Sequence, residues 1–121
     1  MGNAASLVKR ASEFEGALAA ALVDSESGMI LAAAGQSPGV DLELAAAGNT
    51  EVLRAKQRTI KSLNLADDIE DVLITLTTQY HLIRPLQKTP TVFYYIILDR
   101  ARANLALARR MLAEIESNAT L

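Results

Sequence analysis

The sequence contains no cysteine and no tryptophan, and only 4% of its residues are aromatic. Without thiols there is no disulfide framework, no thiolate zinc site and no thiol switch, a usage that suits a reducing compartment. With so few large rings, Ala, Leu, Ile and Val must fill the interior, and side chains this small favour closely apposed layers. Long hydrophobic runs are also missing. The apolar stretches are of strand length, so none is expected to span a membrane, and no cationic segment followed by an apolar one opens the chain. The expectation is a soluble, cytoplasmic protein. Charge of one sign is not segregated either. Twelve Lys and Arg against 14 Asp and Glu leave a net charge of -2. No basic stripe could neutralise a run of phosphates, which argues against nucleic acid as a partner.

What remains is enough to fold. Half of the 121 residues are hydrophobic and 21% are charged, which fits one domain over residues 1–121. Chemistry-bearing patterns are sparse. There is no Gly-x-x-x-x-Gly-Lys phosphate loop. His81, the single histidine, has no Cys or second His to pair with and is expected on a strand surface. Asp67, Asp68, Glu70 and Asp71 offer oxygens to a hard cation but lack the spacing of a calcium loop, and are read as a solvated run guarding a strand edge. Asp99, Arg100 and Arg102 are read as a charged strand-to-helix connection. No catalytic residue, metal site or cofactor is expected, and the chain is not expected to be an enzyme. Two short terminal patterns remain: Gly2 with Ser6 satisfies a loose myristoylation pattern, and Asn118-Ala119-Thr120 fits a glycosylation acceptor. Both are read as structural, a helix start capped by Asn3 and a frayed tail.

Element order emerges from periodicity and punctuation. Leu7, Ala11 and Phe14 share a helical face between Asn3 and Glu15, with Gly16 as the expected C-terminal cap. Ala17 to Val23 and Met29 to Ala34 flank a turn at Asp24 to Gly28, predicting a hairpin. Asp41 is placed to cap a long second helix ending near Leu63. Val72 to Thr77 alternates with period two, Tyr80 to Leu86 follows a turn at Thr78-Gln79, and Thr91 to Leu98 is apolar on both faces. Only a central strand covered on both sides suits that last pattern. Asn104 then caps a final helix whose inward stripe is Leu105, Ala108, Leu112 and Ile115. The predicted order is α-ββ-α-βββ-α.

That order, together with Gly16-Ala-Leu-Ala-Ala-Ala-Leu-Val23 and Leu98-Asp-Arg-Ala-Arg-Ala-Asn-Leu-Ala-Leu-Ala-Arg109, resembles the roadblock (dynein light chain, MglB-like) family. The resemblance covers essentially the whole chain and contains no catalytic motif. It implies an α/β/α sandwich around a five-stranded antiparallel sheet, with the second helix on one face and the first and third on the other. It further implies dimerisation through paired second helices and paired third strands, here Leu42 to Leu63 and Val72, Leu73, Ile74 and Thr75 within the strand. MglB-like members bind Ras-like GTPases, so a small Ras-like GTPase is the expected partner besides a second copy. A motor adaptor without a GTPase and a small-molecule sensory module are the other readings.

The second helix is the informative element. At about 100° per residue, Leu42, Ala46, Leu53, Ile60 and Leu63 gather on one arc, expected against the sheet. Asn49 and Lys56 fall near that arc. A second stripe, Leu44, Gly48, Val52, Ala55, Thr59 and Ser62, is mostly small and is expected to meet another copy. Glu51, Arg54, Arg58 and Lys61 form a mixed charged strip suited to partner binding.

Overall fold

The computed structural model describes residues 3–117. The acceptor positions Gly2 and Asn118 lie outside the described residues. The elements run α1 (Ala4–Ala11), β1 (Ala17–Asp24), β2 (Met29–Gly35), α2 (Leu42–Ser62), β3 (Val72–Thr75), β4 (Gln79–Pro85), β5 (Val92–Asp99) and α3 (Leu105–Ser117). All strand pairs are antiparallel, and the sheet order is β2-β1-β5-β4-β3.

The two-sided apolar strand lies in the middle. Phe93, Tyr95 and Ile97 point to the α2 side, while Val92, Tyr94, Ile96 and Leu98 point to the side of α1 and α3. Each face therefore needs its own helical cover, and each receives one. Under α2 the second core layer adds Ala19, Ala21, Val23, Ala46, Leu53 and Ile83. Under α1 and α3 the first adds Leu7, Val8, Ala11, Leu22, Leu82, Leu112 and Ile115. The alanines of β1 let both layers approach the sheet closely.

Caps behave as their residue types dictate. Asn3 and Ser6 form a reciprocal capping box at α1. The Asp41 carboxylate accepts from Glu43 N and Leu44 N, and Asn104 Oδ1 accepts from Leu107 N. Several boundaries differ from expectation. Helix α1 stops at Ala11 rather than Glu15: Ser12 N–H makes the last helical bond, to Val8 O, and Glu13 N–H bonds Arg10 O instead, a tighter turn that does not continue the helix. Phe14 nevertheless still packs on the core. Gly16 is consequently not the helix cap but the entry to β1. The hairpin after β3 closes where Leu76 N donates to Gln79 O, so β3 ends at Thr75 and Thr77-Thr78 make the turn. On α2, Ala46 and Leu53 are buried as the arc predicts and Thr50 joins them, while Leu63 is 60% exposed where the helix outruns the sheet.

Gly16 has φ +84°, and a Cβ there would sit 2.6 Å from Ala103 N and 2.7 Å from its Cα, whereas Gly39, at φ +83°, has nothing within 4 Å. Both positions strain a side chain, but only Gly16 also clashes with backbone. Gly16→Ala should lower unfolding free energy by about 2 to 4 kcal/mol and Gly39→Ala by about 1 kcal/mol, as measured by urea denaturation.

Candidate functional site

Two features of the surface stand apart from the packed core. The first is the side of α2 turned from the sheet, where Leu44 is 73% and Val52 40% exposed. Gly48, Ala55, Thr59 and Ser62 of the same stripe are exposed as well. The second is β3, a short edge strand whose outer side no element pairs among the described residues. Val72 and Ile74 lean on the α2-side core and Leu73 on the opposite one, all three half-buried, and Thr75 is exposed. The stripe and the edge strand thus offer apolar surface together, one flank of α2 facing the β4 side of the sheet.

That flank is identified by a hydrogen-bonded chain. The Asn49 side chain bonds Tyr95. Tyr95 OH lies 3.0 Å from His81 Nδ1, and His81 Nε2 lies 2.9 Å from Gln79 Oε1. The amide Nε2 of Gln79 in turn donates to Ser37 Oγ at 3.1 Å. Since the Gln79 carbonyl oxygen can only accept, His81 Nε2–H donates to it and Nδ1 accepts a hydrogen bond from the Tyr95 hydroxyl. His81 is thus a half-buried member of a polar relay, not the surface histidine read from the sequence. Burial lowers its pKa below the ordinary 6.5. Burial likewise raises Tyr95, against a smaller opposing effect of the Asn49 bond.

The charged strip of α2 divides. Glu51, Arg58 and Lys61 are exposed. Arg54 is half-buried, donating to Glu26 O at 2.7 Å and lying 3.5 Å from Glu51. Its guanidinium therefore fastens α2 to the β1–β2 turn.

The carboxylate run divides too. Asp67, Asp68 and Glu70 are exposed, but Asp71 receives Arg109 through two bonds of 2.9 and 3.0 Å. Beside it Arg84 is buried against α3, with Nε 3.6 Å from Glu116 Oε1 and Nη1 4.0 Å from both Asp71 and Glu70. Glu116 Oε2 also accepts from Gln87 N. The pKa of the nearby Tyr94 hydroxyl is pushed up to about 12 by burial and then by Glu116, opposed by Arg10 and Arg84. This ionic lattice fixes α3 and the connector onto β4, so the reading of the whole run as solvated surface is corrected at Asp71. No pattern in the sequence marked Arg84 as interior. Thr50 and Asn49 did leave a signal, since they lie three to four residues from Ala46 and Leu53.

Two grooves open on the surface. One of 530 Å³ lies between α1 and α3, with Phe14, Leu107 and Met111 among its lining; another of 790 Å³ lies between the end of α2, the connector and the β4–β5 turn. Among the described residues, no group of three or more His, Asp or Glu could hold a metal ion, and no helix is long and apolar enough to cross a membrane.

A five-stranded antiparallel sheet in the order β2-β1-β5-β4-β3, with α2 on one face and α1 and α3 on the other, is the roadblock/LC7 fold. A roadblock/LC7 domain from Streptomyces avermitilis superposes with a TM-score of 0.78 at 12% identity, over 92% of this chain and 89% of that one. MglB of Myxococcus xanthus follows at 0.74 and 18%, over 94% and 85% of the two chains. The gliding protein MglB of Thermus thermophilus gives 0.70 and 20%, over 93% and 87%. No protein-family model and no curated protein matches the sequence. The likeness is one of fold, carried by hydrophobic pattern at low identity.

Because His81 is held neutral, the unfolded chain binds more protons than the folded one just below pH 6.5. Stability should therefore be constant above that pH and fall as the solution is acidified towards the lowered folded pKa. Urea melts at pH 7.5 and 5.5 should show this loss in the wild type and a smaller one in His81→Gln, which cannot titrate there.

Proposed function

We propose that the chain is a non-catalytic, homodimeric adaptor or regulator that binds a small Ras-like GTPase. The observation that carries the proposal is the pairing of an exposed apolar α2 stripe with an unpaired edge strand, on a fold shared with MglB structures. A further MglB structure of the same fold, at a TM-score of 0.69 and 18% identity, is described as having a tetrameric arrangement. A lone helix would be expected to show water more charge than Leu44, Gly48, Val52, Ala55 and Thr59 do. Those residues, with Val72, Leu73, Ile74 and Thr75, are assigned to the dimer interface. Glu51, Arg54, Arg58 and Lys61 are assigned to the GTPase, Arg54 acting from its anchored position beside the β1–β2 turn. A GTPase bound across the charged strip would meet side chains of both signs, a surface suited to reversible contact.

A specific dimer buries roughly 800 Å² per partner, and a bulky cation at its centre would find neither space nor counter-charge. Ala55→Arg should give monomers at tens of micromolar while keeping its helical circular dichroism, and light scattering during size exclusion decides this. A wild-type monomer at that concentration would exclude the dimer.

GTPase binding is tested by titrating Ras-like GTPases from the same genome, loaded with GDP or a non-hydrolysable GTP analogue, against the labelled dimer. Binding to one nucleotide state, weakened several-fold by Lys61→Glu with dimerisation unchanged, is expected. Absence of binding to every such GTPase would favour an adaptor for another multiprotein complex.

A further inference from the structure

The way α2 ends builds one wall of the larger groove. Asn64 takes the left-handed conformation, φ +57°, and two bonds close the helix around it: Asn64 N–H to Lys61 O at 3.0 Å and Leu65 N–H to Ile60 O at 3.2 Å. Leu65 is thereby turned back to line the groove with Ile60, and it stays 51% exposed. From there the chain runs to Asp71 without helix, turn or bend. Ile69 leans on the α2-side core, half-buried, while Asp67, Asp68 and Glu70 are exposed.

Two independent properties of this run define what it can receive. The first is its backbone. Among the described residues, no N–H or C=O from Ala66 to Glu70 takes part in a hydrogen bond, so the run presents the unpaired polar groups that an added strand uses. The second is charge. Asp67 and Asp68 have no ion-pair partner among the described residues, and Glu70 reaches only Arg84, at 4.0 Å. The 790 Å³ groove beside them is floored by Ile60, Leu65, Ile69 and Leu86, and Lys61 is the one cation among its lining residues.

An occupant that complements both properties is extended, apolar where it enters the groove and cationic beside it. Successive side chains of an extended segment point to opposite faces, so the fitting pattern alternates apolar residues with Lys or Arg. A second copy of this chain does not carry such a segment. Its cations stand on α1, α2 and α3 or in the turns around Lys88 and Arg100, and Arg84, the one on a strand, is buried. We propose that the groove binds an extended basic segment of another protein, whose backbone pairs with Ala66 to Glu70. An apolar side chain of that segment enters beside Ile60, Leu65 and Ile69, and its cations meet Asp67 and Asp68.

This docking site is separate from the GTPase surface and shares only Lys61 with it, which stands on the rim and repels a basic segment. The test uses the full chain and a fluorescein-labelled peptide, Gly-Lys-Leu-Arg-Val-Lys-Gly, read by anisotropy. Saturable binding is expected, weakened about tenfold by Asp67→Lys combined with Asp68→Lys and weakened by added salt. Lys61→Glu should tighten the peptide, although it weakens the GTPase, so the two readings fail separately. Methylating every second amide nitrogen of the peptide should abolish binding in one phase and spare it in the other, because only one set of N–H groups faces the connector. If circular dichroism shows that the lysine variant does not fold, Asp67→Asn with Asp68→Asn should weaken binding about threefold. No saturable binding, equal binding of the peptide with Glu in place of each cation, or indifference to the Asp67 and Asp68 changes would overturn the proposal. Equal effects of the two methylation phases would overturn the backbone pairing. A groove variant that alters self-association and leaves peptide binding intact would assign the groove to a second copy, and so overturn it as well.

Discussion

Burial of β5 on both faces is the constraint on which the rest of the structure depends. Seven consecutive residues from Val92 to Leu98 are removed from water, and a strand of that kind is stable only between two covered neighbours and two covering layers. β1 and β4 supply the neighbours. The helical layers follow, α2 over one face and α1 with α3 over the other. Once the centre is occupied in this way, the short β3 is left at an edge, and the side of α2 turned from the sheet is left to the solvent or to a partner.

Polar groups inside this sandwich are arranged to hold layers together. On the α2 side the chain from Asn49 through Tyr95, His81 and Gln79 to Ser37 joins a helix, two strands and a loop. On the α3 side Arg84, Glu116, Asp71 and Arg109 join a strand, a helix and the connector that feeds β3. Breaking one partner of such a set leaves the others buried and unpaired, so each network is a directional clamp rather than a source of large net stability. Both clamps reach the neighbourhood of β3. The surface proposed to receive other proteins is consequently built on a braced edge, although its own strand is only four residues long.

Much of the fold is legible in local patterns. Period-two alternation in Val72 to Ile74, the capping positions Asn3, Asp41 and Asn104, and the two-sided apolar run of β5 each reflect local rules that the chain obeys without knowledge of distant contacts. The boundaries that moved are those set by a single hydrogen bond, as at Glu13 and Leu76. The residues whose surroundings differ from expectation, His81 and Asp71, are polar side chains whose partners lie 14 and 38 residues away. Sequence spacing does not reveal which face of which neighbour will meet them.

Element order, the central place of β5 and the amphipathic division of α2 follow from the residues alone, because they depend on periodicity and on the need to bury apolar side chains. The absence of thiol chemistry follows in the same way. Three-dimensional packing was needed to select which polar groups are interior, to tie Arg54 to the β1–β2 turn while Arg58 and Lys61 stay exposed, and to leave β3 at the edge of the sheet. Those outcomes depend on register and on layer stacking, where one residue of slip exchanges the faces of a strand, and no local pattern specifies them.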